Sequence, residues 1–125
     1  MSFYGKLFML GGWNQANPWG DSIATTNRIE RSDDDGRTWV NVLAHDANPP
    51  QTGAGARWRR RHMLQSGAVV GTYQGVPAVY VVGGDSLDPG YEAYPADVWV
   101  STDPSLVVWT RVSTGNPWGD RKSVV

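Results

Sequence analysis

Leu7–Leu10 and Val79–Val82 are uninterrupted apolar runs of four, and each is closed by a glycine pair, Gly11–Gly12 and Gly83–Gly84. Runs this short and continuous predict strands covered on both faces. Arg28–Arg31 and Asp97–Val100 mix polar and apolar positions, as half-exposed strands do. TWVNVLA (38–44) and VVWTRVS (107–113) follow a turn and alternate with period two. Between residues 62 and 84, two apolar runs flank a polar, glycine-containing turn, which predicts a hairpin. No stretch places its apolar positions at helical spacing, so the pattern predicts an all-β chain without significant helix.

The pattern repeats. KLFMLGGWN (6–14) aligns with AVYVVGGDS (78–86), and RIERSDDDGRTWVNV (28–42) aligns with DVWVSTDPSLVVWTRV (97–112). Ser32 falls on Ser101, Asp34 on Asp103, and Trp39 on Trp109 after one inserted residue. Two units in the same order mark a repeat architecture. The second unit, 58–113, reads as four strands in meander order: a (62–70), b (78–82), c (97–101) and d (107–112). The first, 5–44, reads as strands b–d alone. At the far end WGDRKSVV resembles WRRRHMLQ, with Trp118 and Arg121 standing where Trp58 and Arg61 stand. Residues 118–125 are therefore expected to be the first strand of a following or intermolecular blade, and 1–125 one module.

Gly-Gly after strand b, ADVW on strand c and a tryptophan on strand d resemble a kelch repeat. Such repeats form the blades of β-propellers, including the galactose-oxidase central domain. SDDDGRTW (32–39) is similar to the Asp-box of sialidases and other propellers, Ser-x-Asp-x-Gly-x-Thr-Trp, a c–d turn. STDPSLVVW in the second unit has lost the glycine and matches it in part. The resemblance implies about two four-stranded antiparallel blades per chain. It gives structural roles to Ser32, Asp34 and Gly36 in the turn, to Gly11, Gly12, Gly83 and Gly84 where strands leave the crowded centre, and to Trp39, Trp99 and Trp109 between sheets. The chemistry agrees. Glycine permits positive φ and close backbone approach, and each tryptophan can bury on the order of 150–250 Å².

Propellers typically close with about four to eight blades, and two sheets alone leave apolar faces and strand edges exposed. Two explanations follow. The chain assembles with copies of itself, a terminal strand a completing a neighbour's blade, or it belongs with further blades of a larger protein.

Composition narrows the function. The chain of 125 residues is 40% hydrophobic with a net charge of −1, which gives no general pull toward nucleic acid or membrane. No apolar run approaches the roughly 20 residues that span a bilayer, and no signal peptide is evident, so the compartment stays unassigned. The absence of cysteine excludes disulfides, thiolate catalysis, Cys-based zinc sites and a tyrosine–cysteine copper centre. Gly-Asp-Ser-Leu (84–87) invites a serine-hydrolase reading, but no histidine follows His62 to activate Ser86. SDDDG fails as a calcium loop, because Arg31 and Val42 occupy the first and last ligand positions. His45 and His62 lack a third ligand at metal spacing. No metal or cofactor is expected.

The basic cluster RWRRRH (57–62) suits either nucleotide stacking, carboxylate binding, or a solvated loop with Arg61 tied to a neighbouring sheet. Antiparallel order sends the b–c and d–a connections to one face. That face carries both NPWGD copies (17–21 and 116–120), GDSLDPGYEAY (84–94) and RWRRRH. Trp13, Trp19, Tyr91, Tyr94 and Trp118 are expected there as stacking platforms, and Asp21, Arg61 and Asp85 as polar contacts, for a glycan or protein ligand. The reading is a non-catalytic binding module. The alternative is a sialic-acid-processing or glycoside-cleaving enzyme using paired carboxylates among Asp21, Asp85, Asp88 and Glu92.

Overall fold

The computed structural model describes residues 1–13, 18, 25–61, 67–84 and 97–113, and for Trp13 the backbone only. Within these residues the chain is all-β, without helix. Its strands form two four-stranded antiparallel sheets. The first is β1 (Ser2–Phe3), β2 (Lys6–Trp13), β3 (Thr25–Ser32) and β4 (Val40–Leu43). The second is β5 (Ala68–Tyr73), β6 (Val76–Val82), β7 (Val98–Ser101) and β8 (Thr110–Ser113). Each is a meander in which consecutive strands are hydrogen-bonded neighbours.

Three strand assignments change. The last strand of the second sheet is Thr110–Ser113 rather than 107–112, with Val107–Trp109 in the connection that precedes it. The first sheet holds four strands rather than three, because Tyr4 and Gly5 (φ +51° and +76°) turn Ser2–Phe3 back onto β2. Two residues are too few for an alternation to register. In the second sheet the first strand lies at 68–73, not 62–70, and its hairpin turns at Gln74–Gly75 (φ +51° and +80°). Both hairpins use two central residues with positive φ, whose twist matches that of the flanking strands. Residues 62–66 and the expected strand at 118–125 lie outside the described residues.

The two sheets share one register. Leu7 pairs with Ser32 and Leu10 with Ile29, as Val79 pairs with Ser101 and Val82 with Val98. The β3–β4 ladder shifts between Ile29 and Glu30, and the β7–β8 ladder shifts at the aligned positions, Val98 and Trp99. Gly11 and Gly12 have φ of +67° and +129°, and Gly83 and Gly84 have +62° and +123°.

The core fills the space between one face of each sheet. Phe3, Phe8, Leu10 and Ile29 come from the first sheet, and Val79, Val81 and Trp99 from the second. Leu106 and Trp109 join from the β7–β8 connection, and Ala56 and Trp58 enter from the segment linking the sheets. The Trp58 and Trp109 rings meet edge to face at 5.9 Å and 86°, a favoured geometry for aromatic pairs. Trp39, the counterpart of Trp109, is not a core residue and stays 37% exposed. Trp109 is covered by Trp58.

Candidate functional site

The site grows from the segment 56–61, which the sequence presents as a basic cluster. Its arginines divide: Arg59 is exposed and Arg60 half-buried, whereas Arg57 and Arg61 turn inward. Arg57 donates through Nη1 to the Ala44 carbonyl at 2.7 Å and through Nη2 to the Asn27 carbonyl. Burial lowers its pKa, and the nearby Asp46 carboxylate opposes that shift. Asn27, itself fully buried, donates to the carbonyls of Asp46 (2.9 Å) and Trp58 (3.2 Å) and accepts from the Asp46 N–H at 2.9 Å. These bonds pin the linking segment to β3.

Arg61 is 0% exposed. Its Nη1 donates to Asp97 Oδ1 at 2.6 Å and to the Gly83 carbonyl at 3.1 Å, its Nη2 to Asp97 Oδ2 at 3.2 Å, and its Nε to the Arg59 carbonyl at 2.9 Å. The two-pronged contact with the carboxylate is the strong form of an arginine ion pair. Asp97 also accepts from Trp99 Nε1 at 2.9 Å. Burial alone would raise its carboxyl pKa. The hydrogen bonds and charge of Arg61, with the Trp99 N–H, outweigh that and hold it below the usual value. Both of its carboxylate oxygens are engaged by these donors.

The backbone of Arg61 completes a junction. Its N–H donates to the Thr26 carbonyl at 3.3 Å, and its carbonyl accepts from Gly12 N–H at 3.1 Å. One residue thus touches β2 and β3 through its backbone and the ends of β6 and β7 through its side chain. Gly11 permits this approach, since a Cβ there would sit 2.7 Å from the Arg61 carbonyl oxygen and 3.1 Å from that of Thr26. The bases of the β2–β3 connection (14–24) and the β6–β7 connection (85–96) are therefore side by side on one rim.

The expected ligand residues fall as follows. Trp13 ends β2, its backbone paired with Thr25. Trp19, Asp21, Asp85, Tyr91, Tyr94 and Trp118 lie outside the described residues, as do Asp88 and Glu92. Arg61 presents its guanidinium to Asp97 rather than to solvent. The sequence reading missed Asp97, because nothing local links it to an arginine 36 positions earlier. The signal was a charged residue standing directly before the buried strand VWVS.

The opposite rim is built by the β3–β4 and β7–β8 turns. Ser32 Oγ accepts from Gly36 N–H at 2.8 Å and donates to Asp34 Oδ1 at 2.9 Å, and Asp34 accepts from Thr38 N–H at 2.8 Å and from the Thr38 hydroxyl. The Thr38 bonds lead in holding the Asp34 carboxyl below its usual pKa. In the second turn Asp103 accepts from the N–H groups of Ser105, Val107 and Val108. Trp39 Nε1 donates to the Gly36 carbonyl, and Trp109 Nε1 donates likewise to that of Leu106. Leu106 occupies this place with φ +56° and a fully buried side chain. Both turns are structural closures. Among the described residues, no group of three or more histidine, aspartate or glutamate side chains is placed to hold a metal ion.

No protein-family model matches the sequence, and no curated protein matches it.

Proposed function

We propose that the chain is a non-catalytic binding module built on kelch-like β-propeller blades, with a glycan or protein ligand held by the loops at the Arg61 rim. The observation that carries the reading is the junction around Arg61. It sets the residues flanking segment 14–24, Gly12 and Thr26, against those flanking segment 85–96, Gly83 and Asp97. Segment 14–24 carries Trp19 and Asp21, and segment 85–96 carries Tyr91 and Tyr94. Aromatic faces with a few adjacent polar groups suit sugar rings and protein hot spots alike. The shared register, the paired glycine conformations and the closely similar turns support the blade assignment.

A glycan and peptide array, with a parallel assay for hydrolysis products, tests the proposal. Saturable binding without turnover is the expected result. Turnover abolished by Asp85→Asn would replace the binding reading with an enzymatic one.

A further inference from the structure

The repeat places opposite faces of its two sheets in the core. In the first sheet the buried face carries Phe8, Leu10 and Ile29, whose aligned positions in the second sheet are Tyr80, Val82 and Val98. Those three lie on the second sheet's outer face and are partly exposed, whereas Ala78 and Val100 on the same face are buried. The second sheet buries Val79, Val81 and Trp99, whose aligned positions, Leu7, Met9 and Glu30, lie on the outer face of the first. The same exchange holds for the tryptophans, Trp109 inward and Trp39 outward. Each outer face is thus the repeat counterpart of a face that the chain already buries against its complement.

From this we infer that two copies of the chain dock head to tail, the outer face of the second sheet in one copy covering the outer face of the first sheet in the next. The occupant of each open face is the kind of surface that covers its counterpart within the chain. Exposed apolar side chains mark both: Met9 (49%) on the first sheet, with Trp39 (37%) in its β3–β4 turn, and Val69 (37%) and Val76 (44%) on the second. The first sheet departs from its counterpart at one place. The Arg28–Glu30 ion pair stands where Asp97 and Trp99 stand in the second. That trades apolar area for charge, so the contact is weaker than the one inside the chain. A contact joining two different patches is heterologous and builds open chains or closed rings rather than a two-fold dimer.

Sedimentation velocity of the full chain across a concentration series tests this, with circular dichroism confirming that each variant is folded. The weight-average mass of the wild type is expected to rise with concentration. Met9→Lys and Val69→Lys should each prevent self-association, at least tenfold in dissociation constant. An equimolar mixture of the two should form a one-to-one dimer and nothing larger, because each variant keeps one intact face. Val76→Lys serves on the second face if Val69→Lys does not fold. A wild type that stays monomeric throughout would overturn the inference. So would Val69→Lys abolishing association while Met9→Lys leaves it intact, since that marks a two-fold contact through the second sheet alone.

Discussion

Gly11 and Gly12 are adjacent, both have positive φ, and their surroundings differ completely. A methyl group at Gly11 meets the Arg61 carbonyl oxygen at 2.7 Å, whereas at Gly12 it meets nothing within 4 Å. Gly11→Ala therefore combines backbone strain with a steric collision at the inter-sheet junction, and is expected to cost about 3 kcal/mol or more. Gly12→Ala carries the strain alone, about 1–2 kcal/mol. Urea unfolding of the two variants gives this difference directly. The Arg61–Asp97 pair makes a second residue-scale statement. Asp97→Asn leaves a fully buried guanidinium without its counter-charge, which costs about 3–5 kcal/mol. The native Asp97 pKa lies below the ordinary carboxyl value of 3.8. Its contribution is therefore complete above that pH and is lost as pH falls through the lower folded value. Acid unfolding of Asp97→Asn should be correspondingly less steep than that of the wild type.

At the scale of elements, the strands whose apolar runs end in glycine pairs were legible as strands, but the expected cover on both faces was not found: one face of each lies in the core, while Met9 on the other is 49% exposed. β1 was not legible, since a two-residue strand held by a turn carries no periodicity. β5 was misplaced because its side chains are largely exposed, so its apolar residues do not mark its ends. The turns divide in the same way. SDDDGRTW reads directly as a closed turn, whereas STDPSLVVW reaches nearly the same closure with a leucine where glycine was expected. Leu106 tolerates φ +56° because its side chain is wholly buried in the core. Leu106→Ala forfeits that packing, about 2–5 kcal/mol. Leu106→Gly relieves about 1 kcal/mol of backbone strain but removes a further methyl worth about 0.8 kcal/mol. The two variants are therefore expected within about 1 kcal/mol of each other by thermal unfolding, and both well below the wild type.

At the scale of the whole molecule, the all-β architecture and the repeat were legible, and the way the sheets meet was not. Sheet packing here depends on Arg61, Asp97, Asn27 and Trp58, residues far apart in sequence that become partners only once segment 56–61 passes between the sheets. The sequence offered Arg61 both as a polar ligand contact and as a residue tied to a neighbouring sheet, and the structure shows the second arrangement, with its guanidinium on Gly83 and Asp97. Its burial turns a candidate ligand residue into the fixture that aligns two loop bases, and the proposed binding rim rests on that alignment. If the two loops act as one site, a side chain from each must contribute to a shared ligand. Calorimetric titration of the strongest array ligand into wild type, Trp19→Ala, Tyr94→Ala and the double variant tests this most directly. The expected result is a loss of tenfold or more for each single variant, with the double variant losing less than the product of the two. Wild-type affinity in both single variants, with folding intact, would contradict the account.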